Sequence, residues 1–136
     1  MASRRKARIY AMQALYSWDV GRTPRDELLK FSWLDPNPGL EDTLAFSRLL
    51  VSGALEHIDE VDTHIRDHLD HWKIERLAKV DLAILRLATY SLLFQRDIPA
   101  SITIDEAIGL AREFGADDSY RFVNGVLDAI RRACEE

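Results

Sequence analysis

Residues Ile104–Ile130, IDEAIGLAREFGADDSYRFVNGVLDAI, decide the fold class of this 136-residue chain. Ala107, Ile108, Ala111 and Phe114 recur at helical spacing, which gives the first half of the stretch an apolar face. Gly115 stands where a helix C′ residue is expected, because glycine enters the left-handed region without a Cβ penalty. Asp117 and Asp118 follow as candidate N-caps, with side-chain oxygens able to accept from the free N–H groups of a second helix. Phe122, Val126, Leu127 and Ile130 then mark the buried face of that helix. The stretch reads as two helices joined by a short break.

Asn124 and Gly125 interrupt the second helix. An Asn-Gly pair ordinarily belongs to a hairpin turn, yet no strand pattern flanks it here. Glycine inside a helix costs about 1 kcal/mol relative to alanine, so something must offset it. Close packing of a second helix is one reading; close approach of a ligand is the other. Tyr120, Arg121, Phe122 and Asn124 place stacking, phosphate-binding and hydrogen-bonding groups within a turn and a half of the same helix.

Outward from this stretch, the helical pattern continues. Ile9, Met12, Leu15 and Tyr16 predict an amphipathic first helix ending near Gly21, with Tyr16 and Trp18 at least partly in the core. A short helix is expected from Pro24 to about Trp33, followed by a loop at Asp35-Pro-Asn-Pro-Gly39. One long helix is expected from about Glu41 to His71, its stripe running through Val51, Leu55, Ile58, Val61 or Asp62, Ile65, Leu69 and Trp72. Gly53 in that helix permits close approach of a neighbour. Glu75 to Gln95 is apolar almost all round and predicts a central helix, interrupted by Lys79, Asp81 and Arg86. Internal salt bridges and a partner-covered strip are both open for those three. Asp97-Ile-Pro99 turns the chain into the opening stretch.

Composition sets the outer limits. A chain of this length builds one domain, 1–136, with a real core; 47% hydrophobic and 30% charged residues suit an ordinary globular protein. The expected architecture is an all-α helical bundle of two halves, 1–72 and 73–136, meeting near Trp72 and Lys73. Cys134 is the single cysteine, which excludes an intrachain disulfide and agrees with a reducing compartment. No apolar run follows the basic N-terminal cluster, and none reaches the length of a membrane span, so a cytoplasmic protein is expected.

Charge is distributed unevenly. Arg4, Arg5, Lys6 and Arg8 lie in an acid-free start, leaving 14 of the 18 basic groups against all 23 acids in the remainder. An acidic body with a basic arm concentrates any nucleic-acid contact at the arm; a solubilising tail is the competing reading. His57, His64, His68 and His71 fall along one side of the expected long helix, and His64 and His68 have a spacing that can grip a metal. No cysteine or HExxH-type glutamate accompanies them, so a solvated face is expected, with no metal and no cofactor. Phosphate-binding loops, dinucleotide turns and nucleophile elbows are absent from the sequence, and no enzyme is expected.

Three blocks carry a family resemblance: RRKARIYAMQALYSWD at Arg4–Asp19, VDLAILRLATYSLL at Val80–Leu93, and DEAIGLAREFGADDSYRFVNGVLD at Asp105–Asp128. Together, and in this order, they resemble the NusB family of bacterial transcription antitermination factors. The resemblance implies an all-α fold of two packed helical subdomains and no catalysis. It implies binding of the single-stranded boxA element of nascent RNA together with NusE, a small-subunit ribosomal protein. The complex helps RNA polymerase pass terminators, notably on ribosomal RNA operons.

Residue by residue, Arg4, Arg5, Lys6 and Arg8 match the family's arginine-rich start. Gln13, Tyr16, Arg121, Phe122 and Asn124 match motif positions near the RNA, and Tyr120 joins them as a stacking candidate. Asp81, Ile84 and Asp118 fall in regions resembling the NusE-facing surface. Arginines fix phosphate register, while aromatic faces and an amide read unstacked bases; a core role competes for Tyr16, Tyr120 and Phe122. The alternative is a non-enzymatic helical interaction or homodimerisation module. NusB-like domains also precede some ribosomal RNA methyltransferases, but no methyl-donor-binding α/β segment is present in this sequence.

Overall fold

The computed structural model describes residues 3–135. Its helices are α1 (Arg4–Val20), α2 (Arg25–Leu28), α3 (Leu40–Glu56), α4 (Ile58–Asp67), α5 (Lys79–Phe94), α6 (Ala100–Phe114) and α7 (Ser119–Glu135), with a 3-10 turn at Ile74–Arg76. Among the described residues there is no strand, and no helix is long and apolar enough to cross a membrane. The all-α expectation holds.

α5 is the centre. Twelve of its sixteen residues are buried, and it packs against α1, α3, α4, α6 and α7. Leu82, Ile84, Leu85 and Leu87 face helices on every side, each exposed by 3% or less. Gly53 of α3 makes one of these contacts possible: a Cβ there would collide with the Tyr90 ring and hydroxyl. The expected close approach at Gly53 is thus made by Tyr90.

Charge inside the bundle is paired. Arg86 Nε and Nη2 donate to Asp62 Oδ1 and Oδ2 at 2.9 and 3.0 Å, a bidentate link from α5 to α4. Its Nη1 lies 3.4 Å from Asp19 of α1, an ion pair without the alignment of a hydrogen bond. The guanidinium also sits 5.3 Å from the Trp18 ring. Lys79 approaches Asp19 at 3.8 Å. Of the three polar interruptions of α5, Arg86 is therefore an internal salt-bridge residue.

Several sequence expectations are corrected. The helix expected from Pro24 to Trp33 stops at Leu28. Arg48 Nε takes the Leu29 carbonyl at 2.8 Å, and Phe31 turns into the core at a left-handed φ of 50°. The long helix expected from Glu41 to His71 breaks at His57, whose φ and ψ are −112° and 24°. The break lets Val51 and Ala54 before it, and Val61 and Ile65 after it, all reach zero exposure. The His57 ring stacks on Phe94 at 4.0 Å, which holds the corner. Trp72 leaves the expected stripe altogether and is 62% exposed.

The central helix starts four residues later than expected, because Leu77 and Ala78 are extended. Gly115 is extended too, at φ −91° and ψ −174°, rather than left-handed. Glycine is needed there for a different reason: a Cβ would lie 2.7 Å from both the Ala111 carbonyl oxygen and Ser119 Cβ. At the start of α7, Ser119 Oγ accepts from the N–H of Ala116 in the preceding loop at 2.9 Å, while the Asp118 side chain lies 3.7 Å from Arg121.

Candidate nucleic-acid interface

The basic start is the first turn of α1, not a free arm. Ser3 caps it, its Oγ accepting from Lys6 N–H at 3.2 Å, and no acid balances the helix dipole in that turn. The arginines find partners on neighbouring helices instead. Arg4 lies over Phe46 at 4.0 Å, and Arg5 Nη2 reaches Glu113 of α6 at 2.8 Å. Lys6 is exposed.

Arg8 requires a correction. It is only 9% exposed, packed near Phe46 in the wall of a cleft between α1, α3, α5 and α6. Burial lowers its pKa, an effect opposed by Glu106 and reinforced by Arg4. Most of the side chain is packed against neighbouring helices, so Arg8 lines that cleft rather than standing free on the outer surface of α1.

Further along α1, Gln13 and Tyr16 open onto a groove of about 460 Å³ shared with Trp33, Val80 and Phe114. Tyr16 is 37% exposed, leaving much of its ring accessible. On α7, Tyr120 is half-buried and carries two guanidiniums, Arg112 at 4.6 Å and Arg121 at 5.4 Å from the ring centre. Arg121 Nε donates to the Tyr120 hydroxyl at 3.0 Å. Asn124 and Gly125 are both exposed. A Cβ at Gly125 would meet nothing within 4 Å, so helix packing does not explain this glycine. Arg121, Asn124 and Gly125 are spaced to share one helix face, and that face is open.

Phe122 points elsewhere. It lines a cleft of about 600 Å³ with Trp72, Arg76, Leu77, Asp81 and Asp118. Asp81 is 8% exposed, and its Oδ1 has no hydrogen-bond partner among the described residues. An unpaired buried acceptor is expensive unless something supplies a donor. Asp118 stands at the cleft rim with an exposed side chain. Ile84, expected on the same partner-facing surface, is fully buried. Three residues from Asp81 on an ordinary amphipathic helix it would share that face, but α5 is enclosed on nearly all sides. Ile84 is a core residue.

The candidate residues thus form two neighbouring groups. Arg4, Arg5, Lys6, Gln13 and Tyr16 lie along α1, and Tyr120, Arg121 and Asn124 lie at the start of α7. Phe122 joins the acidic cleft with Asp81 and Asp118. Sequence reasoning missed Arg112, Trp72 and Arg76. Arg112 lies inside the opening motif, but its approach to Tyr120 arises only when α6 and α7 fold back on each other.

The NusB family model matches residues 5–132. The transcription antitermination protein NusB of Treponema pallidum (strain Nichols) is 54% identical over 132 residues, covering 96% of this chain and 93% of that protein. Its counterpart in Treponema denticola is 52% identical, covering 94% and 95%. Among solved structures, NusB of T. maritima superposes with a TM-score of 0.84 at 36% identity, covering 97% of this chain and 93% of the other. A crystal structure of antitermination factors NusB and NusE in complex with dsRNA gives a TM-score of 0.82 at 30% identity, covering 96% of each chain. By the reach of the family model and the identity of these relatives, the chain belongs to the NusB family.

Proposed function

We propose that this protein is a transcription antitermination factor that binds boxA-type single-stranded RNA in nascent cytoplasmic transcripts together with NusE. In that role it would join the RNA polymerase antitermination complex and support transcription of ribosomal RNA operons. The observation that carries the reading is the open face of α7. Arg121, Asn124 and an unpacked Gly125 stand beside Tyr120, with exposed cations of α1 across α6. Guanidiniums set phosphate register and an exposed amide reads base edges. The acidic cleft of Asp81 and Asp118 suits a basic protein partner, which supports a reading with RNA and NusE on separate surfaces. The solved relative with NusE holds dsRNA, so strandedness belongs in the test.

Fluorescence anisotropy with boxA-like, scrambled and duplex RNA, with and without cognate NusE, tests the proposal. The expected result is preference for the single-stranded boxA-like probe and tighter binding when NusE is present. RNA-bound protein should then bind NusE more tightly by the same factor. Equal affinity for all three probes, unchanged by NusE, would overturn the reading. A second reading, a helical dimerisation module, draws on exposed Leu49, Phe94 and Ile102 in the cleft beside Arg4. Sedimentation showing a dimer with no RNA binding would favour it.

A further inference from the structure

The outer ridge of α6 lies between the two groups of candidate RNA contacts, and it touches both. On one side Arg5 reaches over from α1, pairing with Glu113 at 2.8 Å and lying so close to Gly109 that a Cβ there would be 3.3 Å from Arg5 Nη1. On the other side Arg112 lies over the Tyr120 ring of α7 at 4.6 Å. Gly109, Arg112 and Glu113 are spaced by three and four residues, so they share one face of α6. Arg112 and Glu113 are both exposed.

We propose that this ridge completes the RNA-binding surface, with Arg112 as a phosphate-binding residue and Glu113 as a carboxylate that competes with RNA for Arg5. The inference rests on the RNA-binding reading above and adds to it two residues outside that site. The chemistry favours Arg112. Attraction to an aromatic face uses the charge of a guanidinium without consuming the hydrogen-bond donors in its plane. No ion pair among the described residues includes Arg112, whereas Arg5 and Arg121 each have a carboxylate partner. Arg112 is therefore a pre-oriented cation with donors free for phosphate oxygens.

Glu113 has the opposite effect. In the free protein it neutralises Arg5, and an RNA backbone crossing the ridge must take that guanidinium away from it. Gly109 makes the arrangement possible, because the absent side chain lets the Arg5 guanidinium lie close against α6. Affinity is then set by a contest between one carboxylate and one phosphate for the same arginine.

The test is a salt titration of short fluorescein-labelled single-stranded boxA-like RNA against the full chain, with thermal melts to verify folding. Arg112→Ala should reduce the salt slope by about 0.7, which near 0.1 M salt is roughly a fivefold loss of affinity. Arg112→Lys should restore the slope, since it returns the charge. Glu113→Gln should tighten binding by up to about fivefold, the range of an exposed ion pair. That gain should vanish when Arg5→Ala is combined with it, because the competition acts through Arg5. A folded Arg112→Ala protein with unchanged slope, while Arg121→Ala weakens binding, would overturn the ridge and leave the RNA reading standing. Glu113→Gln tightening binding equally with and without Arg5 would overturn the competition. Absence of RNA binding by the unsubstituted chain would overturn both readings.

Discussion

Arginine is used in two opposite ways in this protein. Arg86 is 7% exposed, forked onto Asp62, near Asp19 and over Trp18. Arg5, Arg112 and Arg121 lie on the surface, each held by one carboxylate or by a tyrosine ring. The first arrangement uses the donors of its guanidinium to fix three helices in register. The second keeps guanidiniums oriented while leaving donors for something not yet bound. A buried pair is strongly destabilising to break, and an exposed pair contributes about 0–1 kcal/mol. Stability should therefore depend on the inner arginine and binding on the outer ones.

The most severe test of that contrast is Asp62→Ala, which removes both hydrogen bonds of the fork and leaves the buried Arg86 charge with Asp19 alone at 3.4 Å. A loss of about 3–5 kcal/mol is expected in denaturant unfolding. The double variant Asp62→Leu with Arg86→Met should recover part of it, since the Arg86 charge goes with its main partner while Asp19 keeps only Lys79 at 3.8 Å. A small loss in the single variant would show that the inner arginine resembles the outer ones.

Gly53→Ala comes next. It adds a methyl where the Tyr90 ring already lies, and overpacking of this kind costs about 1–3 kcal/mol. Thermal unfolding reads the effect, and RNA affinity should change little in the folded fraction. A stabilised variant would mean that α3 moves freely away from α5.

Gly125→Ala sharpens the comparison because its two readouts diverge. With open space around the new methyl, helix propensity alone should stabilise the protein by up to about 1 kcal/mol. If RNA approaches α7 at this point, affinity should fall in the same variant. Higher stability with unchanged affinity would remove Gly125 from the RNA surface.

Asn124→Ala carries the smallest stability effect, within about 0.5 kcal/mol for an exposed position. Its expected signature is a lower ratio of boxA-like to scrambled affinity. A constant ratio would leave α7 with phosphate contacts only.

The sequence made the helices legible wherever apolar periodicity coincided with chemical punctuation, as at Gly21 and across α6 and α7. It failed at His57, because neither proline nor glycine marks that corner and the stripe runs through it without a change of phase. The break is stabilised by tertiary contacts, the stacking on Phe94 and the burial of Val61 and Ile65. Ile84 was misplaced for a related reason. Spacing from Asp81 puts both on adjoining parts of a helix, but only the fold shows that α5 has almost no outer face. Arg8 was misplaced because charge in sequence says nothing about direction. Family motifs brought Arg5 and Arg121 to attention, whereas Arg112 became visible only through its contact with a tyrosine on another helix.

The three tryptophans turn this architecture into a set of built-in optical reporters. Trp18 lies beneath the Arg86 guanidinium, Trp33 is 45% exposed at the groove of Gln13 and Tyr16, and Trp72 is 62% exposed at the acidic cleft. Their emission should span blue-shifted to water-relaxed wavelengths. A chain retaining only Trp72, with phenylalanine at 18 and 33, would brighten or shift when a protein seals that cleft. One retaining only Trp33 would respond to ligands along α1 instead. Occupancy of the two surfaces can then be timed separately in one mixing experiment, with no dye attached.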